Sequence, residues 1–484
     1  MFDTRRYSRY ALLETCAHPL SIDLKKSDIT RWNRALQKPS LFRNTHELIL
    51  DTVLSIHLDN LDTNTKRRLH EGLLHMMNVR RAKFTYTRAL GQLEEILDAL
   101  AHSKCSLEEI DLGLCFQRSG ETPPSMNAMK ELPIWTKFDL SVLSKLAIQL
   151  RSDSRFPILG EITFLGHMLS NAHILTHLHL TIEHTDPVVF LNLLEYTWPN
   201  LENLTINGTI SLVPTGAHLN PSDLINFFKR HSNLTTLSFS SNIFPQFSIL
   251  PPYITTEHLP KLESFSYDIP INFEAFEGLQ VKLDQVLSPA SARRLRHLTI
   301  DERDAEHSNM DIYKELTSLQ SCCITSRFII PLVYNNVYRI LDSLVGHATN
   351  LQKIFLPPHT AHYYERLEED HFMPLPFLRG LPNLTHLSGL WLTGTLGSEL
   401  TWQRLLQEFH HFDKLRFVIP AEISQRDEKR ALFYKLNRDY KGARAAEAVQ
   451  GTILPNDMEY LSWGGFYRGM VKEVQTKLDF ITWP

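Results

Sequence analysis

Histidines are the side chains in this sequence best suited to chemistry, because their charge changes near neutral pH and their ring nitrogens bind metals. His177 and His179 lie two residues apart between leucines, and His297 and His386 occupy comparable positions further along the chain. A metal site needs three or four ligands that converge with a defined geometry. Alternation places His177 and His179 on one face of a strand, but nothing else supports a metal site, and solvated histidines are the favoured interpretation.

A second histidine pair, His359 and His362, stands before Glu365 and looks like a metal motif at first sight. The spacing is not that of the zinc-protease motif His-Glu-x-x-His. Two prolines, Pro357 and Pro358, come directly before it and argue against a helix that would place both histidines on one face. The sequence therefore does not predict a metal site here.

Residues 357–376 are interpreted instead as a long loop after a strand, rich in aromatic and acidic residues. Long ordered loops in repeat proteins often carry contacts. Tyr363 and Tyr364 are therefore candidate protein-binding residues, and a flexible insertion without a binding role is the alternative.

Motifs of the common enzyme families are missing from the sequence. It contains no GxSxG, P-loop, GxGxxG or protein-kinase set, and its five cysteines form no CxxC pair. Isolated serine, histidine and aspartate residues occur, but no pattern brings them together. We predict that the protein is not an enzyme, with no catalytic, cofactor or metal site.

The balance of charges also limits the choice of partners. Lys and Arg number 50 against 54 Asp and Glu, which gives a net charge of -4. Without a strong positive field, nucleic acid is not expected as the main partner. The sequence shows no apolar run of signal-peptide or membrane-span length. We therefore expect a cytoplasmic or nuclear protein with no membrane partner.

The candidate residues lie in a short pattern, apolar-x-x-apolar-x-apolar, that recurs along the chain. Clear copies begin at Leu107, Leu143, Leu175, Leu201, Leu234, Leu262, Leu295, Leu351 and Leu384. From Ile110 to Leu298, the middle apolar residues of successive copies are 26 to 36 residues apart. This spacing is typical of solenoid repeats.

Weaker copies extend the pattern in both directions. They are Leu20/Ile22, Leu48/Leu50, Ala82/Phe84, Leu415/Val418 and Leu461/Trp463. The long step from Leu298 to Ile354 leaves room for a degenerate repeat, and we expect its strand at residues 326–330.

Each copy alternates with a period of two, as a short strand with one buried face does, and helical periodicity lies between the copies. Residues 90–100 and 337–345 carry apolar helical stripes, and Asn220 is a predicted N-cap followed by Pro221. Strand and helix repeating in this way predict parallel strands, because the intervening helix returns the chain to its start.

The turns before four strands share an asparagine followed by a leucine. They contain Asn200, Asn233, Asn350 and Asn383. Asparagine tolerates the left-handed backbone conformation that ends a helix. We therefore predict that these residues adopt it.

These units resemble leucine-rich repeats, specifically the long, irregular repeats of F-box/leucine-rich-repeat proteins common in fungi. The resemblance covers roughly residues 17–420. It implies an α/β solenoid with parallel strands on the concave face and helices on the convex face. We expect residues 1–420 to form this solenoid and residues 421–484 to form a C-terminal capping segment, with a solvated helix over residues 424–448.

The resemblance also implies a function, the recognition of substrate proteins for a ubiquitin ligase. No F-box is recognisable, because the strand expected near Leu20 leaves fewer than twenty residues before it. Either the protein lacks the part that binds the cullin-ligase adaptor, or this chain is shortened at its start. If an F-box exists upstream, the adaptor is an expected partner.

Residues between the apolar positions of each strand are expected on the concave face, where an unidentified protein ligand would bind. With the two loop tyrosines, the predicted protein-binding residues are Gln149, His177, His179, Thr181, Thr205, Asn207, Ser238, Ser240, Ser266, Asp268, His297, Asp301, Phe355, Tyr363, Tyr364 and His386. The alternative is a solvated strand face with no binding role, as in any half-buried sheet.

Three hypotheses of function remain at this stage. The first is a protein-interaction module that resembles the substrate-recognition part of F-box/leucine-rich-repeat receptors. The second is a stand-alone interaction scaffold with no ligase link, and a remote third is an enzyme of unknown type.

Overall fold

The structure is a computed structural model. It describes residues 20–23, 43, 45–50, 63–87, 90–116, 133–152, 162–185, 187–210, 220–240, 253–268, 282–301, 309–325, 334–355, 378–389, 414, 417–420, 430–438 and 444–452. The chain divides into two compact units, Met1–Leu234 with Asn242–Ile249, and Thr235–Ser241 with Leu250–Pro484. Both units combine helices with a parallel β-sheet.

In the first unit, the described strands follow one another across the sheet in chain order. They are β1 (Leu20–Asp23), β2 (Thr45–Leu50), β3 (Arg81–Thr87), β4 (Glu109–Phe116), β5 (Lys145–Ser152), β6 (His177–Thr185) and β7 (Asn203–Ile210). Each pairs with the next in parallel. The α-helices are α1 (Thr63–Leu74), α2 (Leu90–His102), α3 (Thr163–Asn171), α4 (Pro187–Leu193) and α5 (Pro221–Arg230), and two short 3-10 helices span Pro133–Lys137 and Leu140–Val142.

The second unit repeats this plan and ends differently. Its strands are β8 (Thr236–Ser240), β9 (Ser264–Asp268), β10 (His297–Asp301), β11 (Ser321–Thr325), β12 (Lys353–Phe355), β13 (His386–Gly389), β14 (Phe417–Pro420), β15 (Arg430–Arg438) and β16 (Arg444–Thr452). Neighbouring strands are parallel from β8 to β14, whereas β15 runs antiparallel to both β14 and β16. The described helices are α6 (Leu283–Val286), α7 (Pro289–Ala292), α8 (Asp311–Lys314) and α9 (Tyr334–Val345).

Parallel strands in chain order confirm the predicted α/β class and are consistent with a solenoid-like arrangement. Parallel neighbours cannot be joined by a tight hairpin, so the chain must cross back between them. The stripes predicted at residues 90–100 and 337–345 lie on α2 and α9. The predicted N-cap is also present, because the Asn220 side chain accepts a hydrogen bond from the Ser222 N–H at the start of α5.

The core follows the predicted alternation along each strand. In β5, Leu146, Ile148 and Leu150 are buried, whereas Lys145 and Gln149 on the other face stay partly exposed. Burying one such leucine stabilises the fold by roughly 2 kcal/mol. Because the period is two, this burial also decides which side chains face away from the core.

One backbone carbonyl of each repeat fixes the start of the next strand. The Ser144 carbonyl accepts hydrogen bonds from the N–H groups of Thr176 (2.8 Å) and His177 (3.1 Å), and the Thr176 carbonyl accepts from Glu202 (2.9 Å) and Asn203 (3.0 Å). Other carbonyls with two such bonds belong to Arg80, Glu108, Thr235, Glu263, Arg296 and Gln320. Each directly follows the first apolar residue of a repeat copy, so the recurring motif sets the strand register.

The turn asparagines do not adopt the predicted left-handed conformation. Among the described residues, the non-glycine residue with positive φ is Lys104. Three of them, together with Asn78, act instead by donating from Nδ2 to a carbonyl of the preceding turn. The bonds are Asn78 to Arg43 (2.5 Å), Asn233 to Pro199 (2.8 Å), Asn350 to Thr317 (3.2 Å) and Asn383 to Thr349 (2.8 Å). Asparagine is therefore used here for its amide donor, and we call this series of bonds the asparagine ladder.

The degenerate repeat is present but lies earlier than expected. Its strand is β11 (Ser321–Thr325), and residues 326–330 lie outside the described part of the chain. Leu319-x-x-Cys322-x-Ile324 fits the repeat pattern with a cysteine in place of the middle leucine. Cys322 is fully buried, and burial raises the pKa of its thiol. Here cysteine acts as a small hydrophobic core residue.

The described part of residues 424–448 does not form the predicted helix. Their described part belongs to β15 and β16, which pair with each other from Arg430↔Thr452 to Arg438↔Arg444, and β15 also pairs with β14. Alanine has the highest helix propensity, but intrinsic propensity is a small energy that tertiary pairing with an existing sheet overrides. The predicted final repeat at Leu461/Trp463 lies outside the described residues.

Candidate functional site

The first unit brings six predicted binding residues together on three adjacent strands. Three rows run across β5, β6 and β7 in register, and the six residues fill one row completely, two positions of another and one position of the remaining row. The rows are Lys145–His177–Asn203, Ala147–His179–Thr205 and Gln149–Thr181–Asn207. Neighbouring strands lie about 4.8 Å apart. These nine positions, together with the matching positions of β3 and β4, are called the outer face.

His177 is held in place by polar neighbours on both ring nitrogens. The Asn203 Nδ2 lies 2.9 Å from the His177 Nε2, and the Thr176 Oγ1 lies 2.8 Å from the Nδ1. Thr176 in turn donates from Oγ1 to the Ser144 carbonyl at 2.9 Å. These partners fit a ring that carries its proton on Nδ1 and accepts at Nε2. Three neighbouring strands are thereby linked by a fixed ring, which a binding partner would meet as a rigid surface.

His179 has a shorter network. Its Nε2 lies 3.0 Å from the Oγ1 of Thr181, two residues further along β6. Both side chains are half-buried. The ring is therefore oriented along the strand, towards the row that contains Gln149 and Asn207.

Three oxygens of the outer face lack a donor. Within the described part of the chain, Asp111 Oδ1, Gln149 Oε1 and Asn207 Oδ1 are buried and accept no hydrogen bond. Buried polar atoms in folded proteins are nearly always paired. The residues themselves stay partly exposed.

Next to Asn207, Gly208 has φ +125°, and a Cβ there would lie 1.8 Å from the Ile182 carbonyl oxygen. The β7 backbone therefore approaches β6 too closely at this position for any side chain.

Charged residues on β3, β4 and β5 extend the outer face, and the sequence analysis did not include those of β3 and β4 among the candidate binding residues. Glu109 pairs with Arg81 (3.2 Å) and with Lys145 (2.8 Å), and Lys83 pairs with Asp111 (3.1 Å). Opposite charges occupy matching positions in Arg81↔Glu109↔Lys145. That alternation of sign between neighbouring repeat copies was the signal available in the sequence. The resulting bonds neutralise most of the charge locally.

The second unit places its predicted residues in corresponding rows of its own sheet. Thr236, Ser264, His297, Ser321, Lys353 and His386 form one row, and Ser238, Ser266, Thr299, Cys323, Phe355 and Ser388 form the next. Ser240 and Asp268 are paired beyond them. His297 and His386 therefore share a row but are separated by two strands, about 14 Å across the sheet.

Asp301 does not have the predicted exposure. Alternation along β10 predicts that it shares a face with His297, yet only 1% of its surface is exposed. Ser321 and Cys323 lie on the same face of β11 and are also buried. The second unit is thus closed to solvent at these positions, and Asp301 is not available as a surface contact.

Two further observations concern other types of site. Among the described residues, no group of three or more His, Cys, Asp or Glu is placed to hold a metal ion, and no described helix combines the length and apolar character needed to cross a membrane. Tyr363, Tyr364, His359 and His362 lie outside the described residues.

Comparisons with known proteins do not assign a family. No protein-family model matches the chain, and no curated protein matches it. Among solved structures, the crystal structure of a Bacteroides fragilis protein is similar over 59% of this chain and 76% of that chain, with 14% identity and a TM-score of 0.30. A likeness at this level carries no argument about function.

Proposed function

We propose that this chain is a protein-binding module of irregular leucine-rich-repeat type, which acts by binding and not by catalysis. The observation that supports this most directly is the in-register patch of hydrogen-bonding side chains on β5, β6 and β7. Nine neighbouring positions hold two histidines, two threonines, two asparagines, one glutamine, one lysine and one alanine. Such residues offer both donors and acceptors, as a protein surface requires.

The fixed orientation of the histidines also favours a binding role. His177 is held by Asn203 and Thr176, and His179 by Thr181. Side chains that are already ordered lose little further conformational freedom on association. Strands provide a more rigid support for such a site than loops do.

The finer proposal is that the bound protein is a substrate delivered to a ubiquitin ligase. It rests on the resemblance of the repeats to those of F-box/leucine-rich-repeat receptors. A stand-alone scaffold uses the same outer face, so the two functions differ in whether the cullin-ligase adaptor accompanies the chain.

The test is affinity purification of the tagged chain from its own cells, read by mass spectrometry, in three forms. The wild type is compared with the double variant His179→Ala/Thr205→Ala on the outer face and with Lys229→Ala on α5. Lys229 is exposed and lies on a helix. We expect the double variant to lose a reproducible partner that the other two forms retain, with thermal unfolding of all three alike.

Retention of every partner by the double variant would contradict the proposed binding face. Enrichment of the cullin-ligase adaptor with the wild type supports the ligase link. A reproducible partner without the adaptor supports the stand-alone scaffold.

A further inference from the structure

The charged side chains of the outer face lie on one side of it, and there they bind one another. Each of the cations Arg81, Lys83 and Lys145 pairs with a carboxylate of β4, at 3.2, 3.1 and 2.8 Å. The side chains of Glu109 and Asp111 are only 27% and 29% exposed, so water screens these ion pairs less than it would on an open surface. A charged partner residue would therefore compete here with pairs that already exist.

On β6 and β7 the outer face carries no carboxylate, ammonium or guanidinium group. Its six positions there hold half-buried side chains, which are His177, His179, Thr181, Asn203, Thr205 and Asn207. The Asn203 Nδ2 lies 2.9 Å from the His177 Nε2, and this contact fits a ring nitrogen without a proton. We call these six positions the neutral patch, because they offer dipoles and no formal charge.

The absence of charge determines which partner side chains fit the neutral patch. An ion that leaves water pays a large desolvation penalty unless an opposite charge takes the place of that water. An uncharged polar side chain loses much less and regains hydrogen bonds from the threonine, asparagine and histidine groups. Because the penalty applies to both signs, the patch selects against Asp and Glu as much as against Lys and Arg.

The dimensions of the neutral patch set the length of the segment that covers it. From His177 to Thr181 the strand rises about 13 Å, and the neighbouring strand lies about 4.8 Å away. An extended chain advances about 3.3 Å per residue. A run of about four or five extended residues therefore spans the patch along its strands.

We propose that the bound protein covers the neutral patch with an uncharged polar run of about four or five residues. This rests on the proposed binding function of the outer face. The side chains that suit such a run are Ser, Thr, Asn, Gln and Tyr, which can donate as well as accept hydrogen bonds. Asp, Glu, Lys and Arg are excluded from it.

The first test selects ligands without assuming their sequence. A phage-displayed library of random 12-residue peptides is selected on the full chain at pH 8, where ordinary histidines are neutral. The enriched peptides that reduce amide hydrogen exchange in β6 and β7 are kept. We expect them to share an uncharged polar run, and a charged residue at a fixed position inside the shared run would overturn the proposal.

The second test changes the charge of one peptide residue at a time. Each residue of the run is replaced by Gln, by Glu and by Lys, and the dissociation constants for the full chain are compared. We expect Glu and Lys each to weaken binding about tenfold or more at positions where Gln weakens it less than about threefold. Weakening by one sign alone, with the other sign tolerated, would reveal a charged site and overturn the proposal.

A cation introduced into the neutral patch provides the reciprocal test. Thr205→Lys should weaken the parent peptide and improve binding of a Glu-substituted peptide, because it supplies the missing counter-charge. Thr181→Lys is the second variant if thermal unfolding shows that the first folds poorly. Lys229→Ala, an exposed position on α5, is the control and should change neither affinity. Unchanged binding of both peptides by the two lysine variants would overturn the proposal.

The outcomes separate this inference from the proposed function. Peptides that protect β6 and β7 through an essential charged residue would overturn the uncharged run and leave the binding face in place. Absence of any selected peptide that protects these strands would overturn both.

Discussion

At the scale of single residues, the most informative side chain lies in the core and not on the outer face. His231 follows α5 and is fully buried. Its Nδ1 donates to the Phe227 carbonyl at 2.7 Å, and its Nε2 accepts from the Trp198 N–H at 2.9 Å. The ring thus joins the end of α5 to the turn before β7. Burial lowers the pKa of His231 to about 4, and the neighbouring Arg230 contributes to the shift.

We predict that His231 makes the fold sensitive to acid. Above pH 6.5 the ring is neutral in both folded and unfolded chains, so it adds no pH dependence. Between pH 6.5 and about 4 the unfolded chain binds a proton that the folded chain does not. Stability therefore decreases as the pH falls, by about 3 kcal/mol in total. Chemical denaturation at a series of pH values measures this loss.

The variant His231→Gln is the control, because glutamine can donate and accept but does not titrate in this range. The difference in unfolding free energy between wild type and variant should shrink as the pH falls from 6.5 to 4. A difference that stays constant with pH would show that the ring is protonated in the folded chain as readily as in the unfolded one.

At the scale of elements, the turns between helix and strand are the most regular feature. The asparagine ladder occurs in both units, at Asn78 and Asn233 in the first and at Asn350 and Asn383 in the second. Sequence analysis identified three of these four turns but gave the wrong reason for asparagine. A side-chain bond to the preceding repeat depends on a residue more than thirty positions away, which local sequence preferences do not reveal.

The ladder bond can be tested with two exposed turn asparagines. Asn350 donates to the Thr317 carbonyl, whereas Asn200 makes no side-chain bond among the described residues. Asn350→Ala should lower the free energy of unfolding by about 0.5 to 1 kcal/mol, the usual net value of one hydrogen bond. Asn200→Ala should change it by less, and equal losses in urea denaturation would mean that the turn conformation, and not the bond, is what asparagine supplies.

The positions of regular strands were easier to predict than the strands whose sequences depart from the repeat pattern. The alternation of leucines located β4 to β10 because each strand buries every second residue. It missed β11, where Cys322 replaces the middle leucine. The charged, alanine-rich composition of residues 424–448 predicted a helix, whereas β15 and β16 pair with each other and β15 pairs with β14. The outer-face residues of β5–β7 followed from the same alternation. The unpaired oxygens could not be predicted, because hydrogen-bond satisfaction depends on atomic positions.

At the scale of the whole molecule, each repeat gains its stability from the repeats beside it. Leu178 on β6 is almost completely buried, between Leu146 of β5 and Leu204 of β7 in the same register. Burying a carboxylate there is costly. We predict that Leu178→Asp lowers the free energy of unfolding by about 4 kcal/mol or more.

Amide hydrogen exchange shows which strands lose protection in the Leu178→Asp variant. In an array, loss of one repeat removes the surface against which its neighbours are buried, so exchange should increase first in β5, β6 and β7. His179→Ala, one residue away but on the outer face, should change stability by less than about 1 kcal/mol. Similar destabilisation by both variants would mean that the assigned strand faces are wrong.

The carbonyl that fixes the start of each strand also determines where this chain can change its length during evolution. Each carbonyl that accepts two such hydrogen bonds belongs to the residue directly after the first apolar residue of its repeat. An insertion between these two residues would break both backbone hydrogen bonds. The connections after the strands are not fixed in this way. They differ in length: one residue, Asp186, separates β6 from α4, and sixteen residues, 117–132, separate β4 from the 3-10 helix Pro133–Lys137. Descendants of this chain should therefore keep the turn-to-strand spacing constant while gaining and losing residues on the other side of the sheet.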